Sequence, residues 1–330
     1  MLNKKSFRVL ISVFVVLLAL VFLILVPRNK KSERNFKRYL VELNRDDIDK
    51  ISFRTPQMNF PTTFEKNSDN RGWTMMVNGN SYDADTGIIK NILKNCVQMR
   101  SVRVAGTDKD KWADFKVADT NAIFVEFFVD NKKASGLYVG NFNYLPQQSQ
   151  NAMRTSQGQG RMTTYVREEG EKKTHSVDGY LLAYFTPDVK YYRQKTLFKA
   201  KSSNITRVYA ELSDGTKYDI QRTAPGQFII DGMPIDSSAI IKFLHSADNV
   251  NSRDLLDDVS PALLNGPYDM IRIEGENMSP VVIKAYPTKD DRKYIITSSM
   301  NPGAYFGDPI ERLHRMIFKS RDFYLGKADN

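Results

Sequence analysis

The chain has 330 residues, of which 48 are Lys or Arg, 38 are Asp or Glu and one is cysteine. A single cysteine excludes an intramolecular disulfide and a cysteine-based metal cluster. The net charge of +10 would suit a nucleic-acid-binding protein, but nine basic residues and only one acidic residue lie within residues 1–40. The rest of the chain holds 39 basic and 37 acidic groups, and this nearly neutral part lacks the charge that binding to a phosphate backbone requires.

The first element in chain order is an uncharged run at 9–26 that is apolar except for Ser12, preceded by a short basic tail at 1–8. As a helix this run would extend about 27 Å, close to the ~30 Å hydrocarbon core of a bilayer. The sequence after Val26 continues with Pro27 and Arg28 and lacks the small-residue cleavage site of a signal peptide. We therefore expect an uncleaved transmembrane helix at 9–26.

A basic linker follows the apolar run at residues 27–45. We expect its cations to contact anionic lipid headgroups, with a solvated spacer as the alternative. These cations are Arg28, Lys30, Lys31, Arg34, Lys37 and Arg38. Cations favour the cytoplasmic flank, but long domains cross the membrane largely regardless of charge, so the flanking charges leave the orientation open.

Two later stretches of the chain carry the same succession of patterns. Each has an alternating strand segment, a second strand ending in Asn-Gly or Asp-Gly, a capping residue and an Ile/Leu-rich helix. The first copy uses residues 49–54, 73–79, 83–85 and 88–93, and the second uses residues 206–211, 228–232, 236–238 and 240–244. We predict an α+β fold in which the transmembrane helix is followed by two similar strand-hairpin-plus-helix units, at 46–200 and 201–330.

Several details of these units follow from local chemistry. Asp83 or Asp85, and Asp236 or Ser237, are suitable N-caps for the two helices. Asp308 followed by proline predicts a helix that carries Ile310, Leu313 and Ile317 on one face. We expect Cys96 in a helix core and a mobile loop in the Gln/Ser-rich stretch at 146–161.

No residue pattern points to catalysis, a cofactor or a metal. His175, His245 and His314 lack the spacing of a metal site, and a structural role is the simpler interpretation of each. The chain has no Gly-x-Ser-x-Gly elbow, no phosphate-binding loop and no Ser-x-x-Lys motif. We therefore predict no catalytic, cofactor-binding or metal-binding residues, although carboxylates brought together by folding would escape such a search.

Each predicted unit ends in a cluster of aromatic and basic residues. We predict contacts with a partner protein at these ends, while noting that aromatic residues beside strands usually belong to the core. The predicted contact residues are Tyr191, Tyr192, Arg193, Phe323 and Tyr324.

An ordered set of motifs resembles a bacterial family known as domain of unknown function 4340, particularly its members from the Bacteroidetes. The motifs are Asp47-Ile48-Asp49-Lys50-Ile51, Trp73, the helix at 88–97, Tyr138-Val139-Gly140, Tyr165-Val166-Arg167 and His175-Ser176-Val177. The resemblance implies a membrane-anchored envelope protein, and some members accompany ABC-type transporters linked to gliding motility and secretion. It supplies no catalytic residues.

Three functional hypotheses follow. We favour a non-catalytic, single-pass accessory subunit of a bacterial cell-envelope machine, with its soluble part on the periplasmic side of the inner membrane. Its expected partners are other envelope subunits, including a transporter or a gliding or secretion complex, and no nucleic acid. The alternatives are an envelope hydrolase or glycan-acting enzyme with a carboxylate site, and a cytoplasmic module recruited to anionic lipid or nucleic acid.

Overall fold

Antiparallel β-strands are the dominant secondary structure of the chain that the structure describes. The computed structural model describes residues 39–69, 72–145 and 161–327. Within these residues it has one ten-stranded sheet, one nine-stranded sheet and one two-stranded sheet. The predicted transmembrane helix at 9–26, most of the basic linker and nearly all of the Gln/Ser-rich stretch lie outside them. Among the helices in the described ranges, none is both long and apolar enough to cross a bilayer.

The first sheet has the strand order β1-β6-β10-β9-β8-β7-β2-β3-β4-β5. Its strands are β1 Tyr39–Leu40, β2 Lys50–Arg54, β3 Thr62–Lys66, β4 Trp73–Val77, β5 Asn80–Asp83, β6 Met99–Gly106, β7 Ile123–Val129, β8 Lys132–Leu145, β9 Arg161–Glu168 and β10 Thr174–Asp178. Helices α1 Thr86–Cys96 and α2 Trp112–Phe115 accompany this sheet.

The second sheet has the order β15-β14-β13-β12-β18-β19-β20-β21-β17, and β11 pairs with β16 beside it. These strands are β11 Thr196–Lys199, β12 Ile205–Glu211, β13 Lys217–Ala224, β14 Gln227–Ile230, β15 Met233–Pro234, β16 Asn249–Asn251, β17 Leu255–Leu256, β18 Asp269–Gly275, β19 Val281–Pro287, β20 Tyr294–Ser298 and β21 Tyr305–Gly307. The helices are α3 Ser237–Ala247, α4 Arg312–Ile317 and α5 Arg321–Tyr324. Short 3-10 helices lie at Arg45–Asp47, Lys109–Lys111, Leu181–Tyr184, Val189–Tyr192, Ser202–Asn204 and Pro261–Leu264.

The same connectivity occurs in both wide sheets. In each, a four-stranded meander (β2 to β5, or β12 to β15) leads into an eleven-residue helix, and a later strand returns to pair with the first strand of the meander. The returning strand is β7 in the first sheet, which places Ile51 opposite Phe127, and β18 in the second, which places Val208 opposite Ile273.

One helix covers the core face of each sheet. Helix α1 buries Ile89, Ile92, Leu93 and Cys96, and α3 buries residues at the same spacing. This spacing of three and four positions gives a helix a single apolar face. Burial raises the pKa of the Cys96 thiol to about 12, so this residue is an inert part of the core, as predicted.

The predicted fold class was wrong. An α+β fold of two hairpin-plus-helix units behind a transmembrane helix requires more helix than the described chain contains, where antiparallel sheets dominate. The hairpins do not remain local units, because strands distant in sequence join them into wide sheets. The predicted helix after Asp308 begins only at Arg312, and Ile310 is 67% exposed.

The caps of the two long helices are Asp85 and Asp236. An Asp85 carboxylate oxygen accepts hydrogen bonds from the Gly87 and Ile88 amides, and Asp236 accepts one from Ser238. The alternative cap at Asp83 belongs to β5, where its side chain is exposed.

We expect Asp85→Ala to lower the free energy of unfolding by about 1 kcal/mol, because two amides at the start of α1 lose their acceptor. Urea unfolding of the full chain in detergent would measure this. Asp83→Ala is the matched control and should change stability by less than about 0.5 kcal/mol. Equal effects of the two substitutions would contradict the cap.

Candidate functional site

A buried arginine joins the two wide sheets. Arg193 is only 5% exposed, its guanidinium lies 4.1 Å from the centre of the Tyr82 ring, and it forms an ion pair with Asp257. Lys190 adds a second cation, with its ammonium 3.4 Å from the same carboxylate and 2.7 Å from the carbonyl oxygen of Leu255. Tyr82 belongs to β5 of the first sheet, while Leu255 and Asp257 lie in and after β17 of the second.

Arg193, Lys190 and Asp257 form a cluster that we call the clamp, and its two positive charges favour the ionised carboxylate of Asp257. Burial by itself would raise the pKa of Asp257, but the hydrogen bond and positive charge of Arg193, with the charge of Lys190, outweigh it. The pKa of Asp257 is therefore held below its ordinary value.

The segment after Arg193 is fixed by hydrogen bonds to both sheets. The Gln194 amide donates to the carbonyl oxygen of Asp83 at 2.8 Å, and the Gln194 carbonyl accepts from the Asn301 side chain at 2.9 Å. The Gln194 side-chain oxygen accepts from the Thr196 amide at 3.2 Å. The first two bonds tie residues 193–195, which we call the crossing segment, to the two wide sheets, and the third fixes the Gln194 side chain at the start of β11.

A cleft opens on both sides of this segment, and we call it the junction cleft. Its narrower opening holds about 200 Å³ and is lined by Thr74, Ser81, Tyr82, Asp83, Arg193, Gln194 and residues 301–304. Its wider opening holds about 610 Å³ and is lined by Asp85, Thr86, Gly87, Gln194, Thr196, Lys199, Asn249, Asn251 and Met300. Most of these side chains are hydroxyls, amides or charged groups, so the junction cleft suits a polar ligand.

The family model for a domain of unknown function (DUF4340) matches residues 73–267, which is more than half of the chain. The chain belongs to this family. The match crosses from the first sheet into the second, so the DUF4340 region includes Arg193, Gln194 and Asp257. Comparisons with curated proteins and with solved structures gave no match.

Two of the five predicted contact residues of this DUF4340 protein lie in the hydrophobic cores. Tyr192 and Tyr324 are fully buried, each in the core of one sheet. They hold equivalent positions, because the Asp85 amide donates to the Tyr192 carbonyl at 2.7 Å and the Asp236 amide to the Tyr324 carbonyl at 2.9 Å. Neither ring is available to a partner.

The other predicted contact residues differ in exposure. Tyr191 and Phe323 are half-buried, and Arg193 lies in the clamp between the sheets. The cations predicted to contact lipid, Arg28, Lys30, Lys31, Arg34, Lys37 and Arg38, lie outside the described residues.

Two of the three histidines take part in buried polar contacts. His175 Nδ1 lies 2.8 Å from the hydroxyl of Ser101 between β10 and β6. His314 Nε2 lies 2.6 Å from a carboxylate oxygen of Asp269, and its ring stacks on Tyr294 at 4.0 Å. Burial would raise the pKa of Asp269, but hydrogen bonds from His314 and Ser213 hold it below its ordinary value. His245 is exposed on α3, and the described residues contain no group of three or more metal-ligating side chains.

Sequence reasoning missed a stack of rings and cations on the outer face of the first sheet. The Arg167 guanidinium lies 3.7 Å from the Trp112 ring centre and 3.9 Å from that of Tyr138, and Tyr138 stacks on Phe124. Arg167 also donates to Asp119 at 2.6 Å. The register of β7, β8 and β9 places Phe124, Tyr138 and Arg167 in one row, and Trp112 reaches this row from α2, so the stack follows from tertiary structure.

Asp257→Ala should lower the free energy of unfolding by about 1–3 kcal/mol, because it leaves the buried Arg193 guanidinium without its carboxylate. Asp258→Ala is the matched control, since the Asp258 side chain is 85% exposed. Thermal and urea unfolding of the full chain would measure both. A smaller effect for Asp257→Ala than for its neighbour would show that the clamp does not stabilise the fold.

The same pair predicts a dependence of stability on pH. Because the pKa of Asp257 is lower in the folded chain, its contribution is complete above the unfolded value of about 3.9 and is lost as the pH falls toward the folded value. We expect the wild type and Asp257→Asn to differ most near neutral pH and to converge as the pH falls through the lowered pKa of Asp257. Urea unfolding of both proteins across this range would measure it, and a constant difference would contradict the assignment.

Proposed function

We propose that this DUF4340 protein is a membrane-attached, non-catalytic binding subunit of a bacterial cell-envelope machine, and that the junction cleft receives its partner. The observation that carries the proposal is that both sheets contribute fixed polar groups to one cleft, since Gln194 bonds to Asp83 on one side and to Asn301 on the other. Fixed donors and acceptors reduce the entropy lost on binding.

The lining of the junction cleft supports binding in preference to hydrolysis. A carboxylate-dependent hydrolase places two carboxyl groups on opposite sides of its substrate. Among the described residues, the narrower opening has one lining carboxylate, Asp83, and the wider opening has Asp85. The Asp85 carboxylate is already engaged in capping α1.

Attachment to a membrane is proposed from the sequence. The uncharged run at 9–26, apolar except for Ser12, is followed by six cations within residues 28–38, a combination that favours a bilayer with anionic headgroups. The resemblance of the chain to envelope proteins that accompany ABC-type transporters suggests subunits of such a complex as partners, with the sheets on the periplasmic side of the inner membrane.

Affinity purification tests this proposal. The full chain, tagged after Asn330, would be crosslinked in cells, extracted from membranes with mild detergent and analysed by mass spectrometry. We expect a reproducible set of envelope subunits that an untagged strain does not yield. A chain recovered alone from the membrane fraction would contradict the proposal.

A charge reversal then tests the cleft. Lys199 is exposed and lines the wider opening, so Lys199→Glu should reduce recovery of the partner several-fold. Lys201→Glu is the matched control, because Lys201 is equally exposed but is not among the lining residues. Equal recovery with both variants would place the partner elsewhere on the surface.

A further inference from the structure

Strand β5 ends the first sheet, and one of its sides has no neighbouring strand over most of its length. On its other side β5 pairs with β4, with Asn80 opposite Val77 and Ser81 opposite Met76 after the two-residue turn at Asn78 and Gly79. Successive residues of a strand direct their backbone groups to alternate sides. The Ala84 amide donates to Trp73 of β4, so the backbone groups of Ser81 and Asp83 are directed away from β4 and toward the junction cleft.

The crossing segment already begins to pair with this edge. Arg193 lies opposite Ala84 in an antiparallel bridge, in which the Gln194 amide donates to the Asp83 carbonyl and the Asp85 amide donates to the Tyr192 carbonyl. Pairing stops there, because the Gln194 carbonyl accepts from Asn301 and the chain continues into β11. Outside the strand ladders, no backbone hydrogen bond between described residues involves Ser81, and the alternation along β5 directs its N–H and C=O away from Met76.

In the second sheet, the equivalent edge strand cannot donate a hydrogen bond to an added strand at the corresponding position. Its outermost strand, β15, follows a two-residue turn at Asp231 and Gly232, and Pro234 forms the second pair of that hairpin, opposite Ile229. Ser81 forms the second pair of the β4–β5 hairpin. Proline has no N–H, so it removes the outward donor without disturbing the pairing with β14. The repeat thus blocks strand addition in one copy and leaves it open in the other.

From this asymmetry we infer that an extended peptide segment of a partner, carrying polar side chains, adds as a strand to β5 at Ser81. Its backbone would exchange hydrogen bonds with Ser81 and receive one from the Asp83 amide, which continues the pairing that Arg193 begins. Its side chains would face Thr74, Asp83 and Asn301 in the narrower opening of the junction cleft. The inference rests on the proposed binding function and names the kind of partner.

Ser81→Pro tests this directly, because it gives β5 the residue that β15 carries at the same position. A random dodecapeptide phage library would be selected on the full chain in detergent micelles and counter-selected on Ser81→Pro. Selected peptides would be synthesised with a fluorophore and measured by fluorescence anisotropy. We expect binding to Ser81→Ala within about twofold of the wild type, and at least about tenfold weaker binding to Ser81→Pro, which loses a backbone donor.

A second measurement does not depend on how Ser81→Pro folds. Each selected peptide would be methylated at one backbone nitrogen at a time and tested on the wild type. Strand addition predicts that methylation weakens binding at alternate positions only. The inference is overturned if no peptide distinguishes the wild type from Ser81→Pro, or if methylation has no alternating effect. Recovery of envelope subunits in the purification above would then still support the proposed function.

Discussion

The relation between the two sheets depends on the buried guanidinium of Arg193. A buried charge is costly unless it is paired, and Arg193 satisfies this requirement by contacting Tyr82 of the first sheet and Asp257 of the second. Separation of the sheets would leave the guanidinium without its carboxylate. The ion pair therefore holds together the walls of the junction cleft, and the hydrogen bonds of Gln194 then set the positions of the groups that line it.

The two wide sheets share their strand connectivity and their covering helices, but they differ in their edge strands and in the polar contacts on their surfaces. Tyr192 and Tyr324 fill equivalent places in the two cores, and Asp85 and Asp236 cap equivalent helices. These polar contacts are not shared, because Arg167 is stacked between rings on the first sheet, whereas Asp269 and His314 are hydrogen-bonded in the second. The two sheets thus share the arrangement of their apolar cores and differ in their polar contacts.

Local features of the helices agree with what the sequence predicts, whereas the positions of two aromatic side chains do not. The buried Cys96 was predicted, and each helix cap was narrowed to two neighbouring candidates that include Asp85 and Asp236, because these features depend on residues within one or two helical turns. Tyr192 and Tyr324 were predicted as contact residues from their aromatic and basic neighbours, yet both rings are buried. Aromatic clusters of this kind look alike in sequence whether they end a core or cover a surface.

By itself the sequence determined the succession of patterns in each copy, the apolar faces of α1 and α3 with a choice of two capping residues for each, and the family to which the chain belongs. Only the tertiary structure decided that the hairpins join wide antiparallel sheets, that Arg193 bridges them, and that β5 keeps an open edge. The physical reason is the separation along the chain between the residues that interact. Helix faces and caps depend on residues three or four positions apart, whereas strand order depends on pairing between distant segments whose alternating patterns are interchangeable.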